Sequence, residues 1–194
     1  MKKHLLKVLC SAVIAVCFAG CASIPEPSEK YDNLLYGQVE FNFTCIPNNY
    51  QIPESSTEKY GIEVKFRNIK TNNTVTMTTN SKGEFARAGI PEGTYIIQSF
   101  KKTIKYNAGY EMEFSATFDK NKTTNFHFTP VPNTVVNMGL ISLDFSITEI
   151  GYYSWNVNWG KGYEGAYETF FANHMESDWL DKEWITPKES LERR

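Results

Sequence analysis

Between Gly37 and Phe145 the chain repeats with a period of two. Val39, Phe41 and Phe43 alternate with Gln38, Glu40, Asn42 and Thr44, and Ile62, Val64 and Phe66 alternate with Glu63, Lys65 and Arg67. Val75 and Met77 fall between threonines, and Met112, Phe114, Ala116 and Phe118 alternate with Glu111, Glu113, Ser115 and Thr117. Phe126 and Phe128, then Ile141, Leu143 and Phe145, close the series. Successive side chains of an extended strand point to opposite faces, so each run has one apolar and one wet face, as antiparallel strands do. Turn residues separate the runs: Lys70-Thr71-Asn72-Asn73, Asn80-Ser81-Lys82-Gly83, Asn107-Ala108-Gly109 and Asp119-Lys120-Asn121-Lys122. Many short strands with no helical period between them predict a mainly β chain folded as an antiparallel sandwich. The polar stretch from Pro47 to Tyr60 reads as an extended crossover loop.

One segment goes beyond generic β-structure. Thr79-Asn80-Ser81-Lys82-Gly83-Glu84-Phe85 is followed by Gly89-Ile90-Pro91-Glu92-Gly93-Thr94-Tyr95-Ile96-Ile97. Gly83 permits the positive φ of a tight turn, Phe85 drops into the core, Pro91 stiffens a corner, and Tyr95 and Ile97 return to the inner face. This pattern resembles the carboxypeptidase regulatory-like domains, and it also occurs in collagen-adhesin B-type repeats. The resemblance covers about Gly37 to Phe145. It implies a seven-stranded, transthyretin-like (immunoglobulin-like) sandwich acting as a scaffold or adhesion module, and it is nearly silent on function. The collagen-adhesin branch often carries an internal Lys–Asn isopeptide bond beside a buried acid. Here Gln98 stands near the acid's place and Val39–Phe43 holds no lysine, so that bond is not expected.

The N-terminus points to export. Lys2, Lys3 and Lys7 precede an apolar run from Val8 to Ala19, which is shorter than the roughly 20 residues of a membrane-spanning helix. Phe18-Ala19-Gly20-Cys21 then resembles the lipobox of bacterial lipoproteins. The resemblance implies cleavage before Cys21, diacylglycerol on its thiol, and a firm anchor made of several acyl chains. With Ala22 rather than Asp after the cysteine, the resemblance to sorted lipoproteins implies the outer membrane of a bacterial envelope. The predicted organisation is a signal peptide (1–20), a lipidated N-terminus and tether (21–34), a β-sandwich (35–146) and an aromatic, partly helical C-terminal extension (147–194).

Loss of Lys2, Lys3 and Lys7 from the chain's 20 Lys+Arg leaves 17 against 22 Asp+Glu, a mature charge of −5. Such an acidic balance argues against nucleic acid as a partner. Cys10 and Cys17 leave with the signal and Cys21 is acylated, so no disulfide forms within the mature chain. Cys45 continues the alternation of Val39, Phe41 and Phe43 and reads as a buried thiol.

The extension concentrates aromatics. Tyr152, Tyr153, Trp155, Trp159, Tyr163 and Tyr167 are interleaved with Gly151, Gly160, Gly162 and Gly165. Ala166 to Met175 suits a helix, with Tyr167, Phe170, Phe171 and His174 at i, i+3, i+4 and i+7 on one face. Trp179, Leu180 and Trp184 suggest a second short helix, ended by Pro187. Two readings follow for these aromatics. Tyr152, Trp155 and Trp159 form a platform for a glycan or an envelope-protein partner, or they pack on the sandwich and close its edge. His127 and His174 show no metal spacing, no catalytic or cofactor motif occurs, and no cofactor is expected. The sequence thus predicts a non-catalytic binding or structural module held at the membrane by its lipid, with a carbohydrate-binding module or an accessory subunit of an envelope complex as alternatives.

Overall fold

The computed structural model describes residues 24–45, 55–105, 111–118, 126–149 and 152–189. The signal segment, Cys21, the turns at Asn107–Gly109 and Asp119–Lys122, and most of the expected crossover loop lie outside these residues. The described chain is mainly β, in two packed sheets.

Sheet 1 is centred on two long strands, β1 (Asn33–Cys45) and β9 (Thr134–Glu149). Beyond β1 lie β2 (Ser55–Glu58), paired with its second half, and β5 (Glu84–Ala88), paired with its first half. Beyond β9 lie β10 (Tyr152–Lys161) and β11 (Glu183–Ile185), divided in the same way. Sheet 2 runs β4 (Thr74–Thr78), β3 (Ile62–Asn68) and β6 (Tyr95–Lys105). It continues with β7 (Glu111–Thr117) and β8 (Phe126–Phe128), which share the far edge of β6. A short β12 (Lys188–Glu189) pairs with β8.

Three sequence expectations change. The central pair β1/β9 is parallel, as is β9/β11. Alternation reports which face is buried and not which way the neighbour runs, and strands about a hundred residues apart are not bound by a hairpin to be antiparallel. Second, Ser55–Glu58, expected as loop, forms β2. Third, the boundary expected at 146 falls inside β9, and the following segment supplies β10 and β11 to sheet 1.

The inner faces meet in one aromatic core. Phe41 and Phe43 of β1 and Phe145 of β9 all contact Phe114 of β7, and Phe66 of β3 lies against Phe85 of β5 and Phe128 of β8. Cys45, Tyr95 and Ile97 are buried with them. Phe85 occupies its place because residue 37 is glycine: a Cβ there would lie 2.6 Å from the Phe85 ring and 2.7 Å from Met138. The tight turn before Phe85 is made as expected, with Gly83 at φ 83°.

A second core forms outside sheet 1. Leu34, Tyr36 and Val135 face outward and are covered by helix α1 (Tyr163–Asn173) through Ala166 and Phe170, and by Trp179. This explains why Asn33–Gly37 is buried at every position while the rest of β1 alternates. An 11-residue helix is marginal alone, so its docking holds it. The buried stripe is Ala166–Phe170. Phe171, expected on that face, is half exposed, because the helix turns Ala166 rather than residue 171 towards the sheet. The expected second helix is a 3-10 turn, Asp178–Asp181, followed directly by β11.

The N-terminal segment is pinned to this second core. Ile24 packs against it, and the Trp179 indole N–H donates to the Pro25 carbonyl (2.8 Å). The Glu26 carboxylate accepts from Ser177 Oγ (3.0 Å) and from the Asp178 backbone N–H (2.9 Å). From Ile24 onward, the stretch expected as a tether lies on the folded domain.

Candidate functional site

β10 pairs with β9 and carries the three aromatics expected to form a platform. Trp155 and Trp159 turn inward and are half-buried. Trp155 lies edge-on to Phe145 (4.9 Å) and Phe41 (6.0 Å), and Trp159 lies against Phe118 (5.2 Å) and Phe100 (6.2 Å). Tyr152, at the start of β10, is exposed and pairs with Glu149 beside a register shift. The structure therefore makes Trp155 and Trp159 packing groups against different rings of the core and leaves Tyr152 exposed at the start of the strand.

A different surface is offered by the uncovered half of the outer face of sheet 1. Cross-strand partners share a face, so the register defines three rows. One row is Thr57–Asn42–Asp144–Asn156; a second is Ser55–Thr44–Ser146–Ser154; the third is Glu40–Ser142–Asn158. Every side chain in them is an amide, hydroxyl or carboxylate.

Asp144 organises the centre. Its Oδ1 accepts from Asn42 Nδ2 (2.8 Å) and Ser142 Oγ (3.1 Å), and its Oδ2 accepts from Asn158 Nδ2 (2.9 Å). Thr57 Oγ1 donates to Asn42 Oδ1 (3.0 Å), which fixes that amide's orientation. Ser146 and Ser154 share a hydrogen bond of 2.7 Å. The rows end near the first turn of α1, where Gln38, Glu40, Lys59, Lys82, Gly162 and Thr169 line a cleft of about 290 Å³. An array of this kind offers fixed donors and acceptors on a flat surface and suits a ligand rich in hydroxyl groups, each of which both donates and accepts. Asp144, Asn42, Ser142 and Asn158 were not singled out from sequence. The signal was there, because the wet positions of β1, β9 and β10 lack the lysines that the wet positions of β3 and β6 carry.

A buried polar knot lies beside this face. Glu84 accepts from Tyr36 Oη (3.0 Å) and Asn173 Nδ2 (2.8 Å) on one oxygen and from Asn80 Nδ2 (2.8 Å) on the other. It ties β1, the β4–β5 turn and the end of α1 together. Burial, reinforced by the Glu84 charge and hydrogen bond, pushes the Tyr36 phenol far above its ordinary value. Burial also pushes the Cys45 thiol up, away from thiolate reactivity.

His127 lies half-buried on β8 of sheet 2, and His174 stacks on Phe170 at the end of α1. Among the described residues no group of three or more His, Cys, Asp or Glu is placed to hold a metal ion. Among them, too, no helix is long and apolar enough to cross a membrane. Compared with known families and with curated proteins, the chain matches no family model and no curated sequence.

Proposed function

We propose that this chain is a bacterial envelope lipoprotein, acylated at Cys21, whose transthyretin-like sandwich of the carboxypeptidase regulatory-like kind is a non-catalytic binding module. Its ligand is a glycan, held on the uncovered outer face of sheet 1. The outer membrane is its location and the N-terminal lipid its anchor. The fold part of this reading is supported by two sheets around one core and by the Gly83 turn that seats Phe85.

The binding part rests on one observation: Asp144 is held by Asn42, Ser142 and Asn158 at the centre of a flat array of short polar side chains. Their orientations are set before any ligand arrives, which lowers the ordering cost of binding. Tyr152, exposed at the start of β10, is a ring on which a sugar face can stack. Trp155 and Trp159 support β10 from beneath.

The test is a glycan array followed by calorimetry on the domain. Asp144→Ala is expected to weaken binding at least about tenfold, or about 1.4 kcal/mol, at a temperature where the domain, its Tm lowered by the lost hydrogen bonds, is still fully folded. Tyr152→Ala should weaken it less, and Trp159→Ala should act mainly through stability. Absence of binding to any glycan would remove the proposal, and so would binding that Asp144→Ala leaves intact.

A further inference from the structure

We infer that the C-terminal end of α1, around Phe171 and Met175, rests on the lipid bilayer surface and fixes the orientation of the domain on the membrane. The inference rests on the proposed acylation of Cys21. Its independent ground is the pinned N-terminal segment. Ile24 packs into the second core, Pro25 accepts from the Trp179 indole, and Glu26 caps the Ser177–Asp178 turn. Only three peptide units separate Ile24 from Cys21, and they reach at most about 11 Å. With the acyl chains of Cys21 in the membrane, the body cannot float on a long leash. Its Ile24 end must stand within that reach of the acyl attachment point.

That end carries exposed apolar side chains among polar ones. Ile24 and Met175 line a cleft of about 580 Å³ whose wall also holds Ala172, His174, Glu176 and Asp178. Met175, two residues beyond the end of α1, is 68% exposed, and Phe171, in the helix's last turn, is 50% exposed. Apolar side chains at such a place enter the headgroup boundary to a depth of about 5–10 Å. The neighbouring Glu164, Glu168, Glu176 and Asp178 carry negative charge. They favour a zwitterionic over an anionic lipid surface and keep the contact shallow.

The experiment uses the full chain purified from bacterial membranes and reconstituted into phosphatidylcholine vesicles. Spin labels are placed at Met175→Cys and, as a reference on the outer face of sheet 2, at Ser115→Cys. Collision with lipid-soluble oxygen is compared with collision with a water-soluble nickel chelate. The expected result is an oxygen-dominated label at 175 and a nickel-dominated label at 115, with the 175 signature reduced in Phe171→Glu. A vesicle-bound, acylated protein whose label at 175 is as nickel-accessible as that at 115 overturns the docking while leaving the anchor standing. Mass spectrometry showing an unmodified Cys21, with the protein free of vesicles, overturns both.

Discussion

The outer faces of the two sheets are both polar, and they are built in opposite ways. Sheet 2 presents long charged side chains: Glu63, Lys65, Lys101, Lys105, Glu111 and Glu113, with ion pairs Lys101–Glu113 (2.7 Å) and Lys105–Glu111 (3.0 Å). Sheet 1 is covered at one end by α1 and Trp179, and at the other it presents short amides, hydroxyls and Asp144 in a hydrogen-bonded array. Long charged chains keep rotamer freedom in water, and fixing them costs entropy. Short polar chains have little to lose and are already fixed by one another. The first face keeps its side chains free in water, and the second is ordered before any contact is made, as the proposed glycan site requires.

The largest effect expected from any single change lies under the cover of sheet 1. Trp179 is fully buried and ties the N-terminal segment to the second core. Trp179→Ala should cost about 3–5 kcal/mol, a large share of the 5–15 kcal/mol typical of a domain. For a chain of this size that lowers Tm by roughly 6–20 °C, measured by thermal unfolding of the soluble domain. The same variant should open residues 24–32 to protease. A small Tm change with the segment still protected would mean that α1 and the Trp179 turn are ornaments on sheet 1, and the distinction between its covered and open ends would lose its basis.

The sandwich itself was legible because its inner faces follow a strict period of two and its turns carry Asn and Gly at the required places. The Gly83 turn and the burial of Phe85, Tyr95 and Ile97 come straight from that pattern. The direction of β9 relative to β1 was not legible, since a parallel and an antiparallel neighbour bury the same residues. Nor was the role of β10. Its Tyr153, Trp155, Val157 and Trp159 also alternate, but the glycines around them and the aromatic crowding suggested a separate platform. Most of all, the array around Asp144 depends on register. Asn42, Asp144 and Asn158 come from distant parts of the chain, and only strand pairing places them in reach of one another.

A second effect distinguishes the buried polar knot from the exposed array. Tyr36 is held neutral in the folded state, its phenol pushed well above the ordinary value near 10 by burial and by Glu84. In the unfolded chain it ionises near 10. Its contribution is therefore complete below about pH 10 and is lost as pH rises beyond that value, when the unfolded chain sheds a proton that the folded chain keeps. The loss is about 1.4 kcal/mol per pH unit. Tyr36→Phe should flatten the fall of Tm between pH 9.5 and 11 relative to wild type, although it starts from a lower Tm because Glu84 loses one donor. Equal slopes in the two proteins would place the Tyr36 hydroxyl in contact with water and remove the knot from the docking of α1.

The smallest effect is expected on sheet 2, and it is the sharpest check on the comparison. Lys101 and Glu113 make a short ion pair, but their side chains are 45% and 54% exposed. Attraction between exposed charges is screened by salt and offset by the entropy of holding two long side chains in one geometry. Glu113→Gln should leave Tm unchanged within error at 0.15 M salt, and the same should hold when Lys101→Gln is added. A parallel pair, Asn158→Ala with Asn42→Ala, should instead show coupling, because both amides converge on one carboxylate and each loss changes what the other can do. If the ion pair couples as strongly as the two asparagines, then short polar and long charged arrays are organised alike on this fold. A ligand face could then be sought on either sheet.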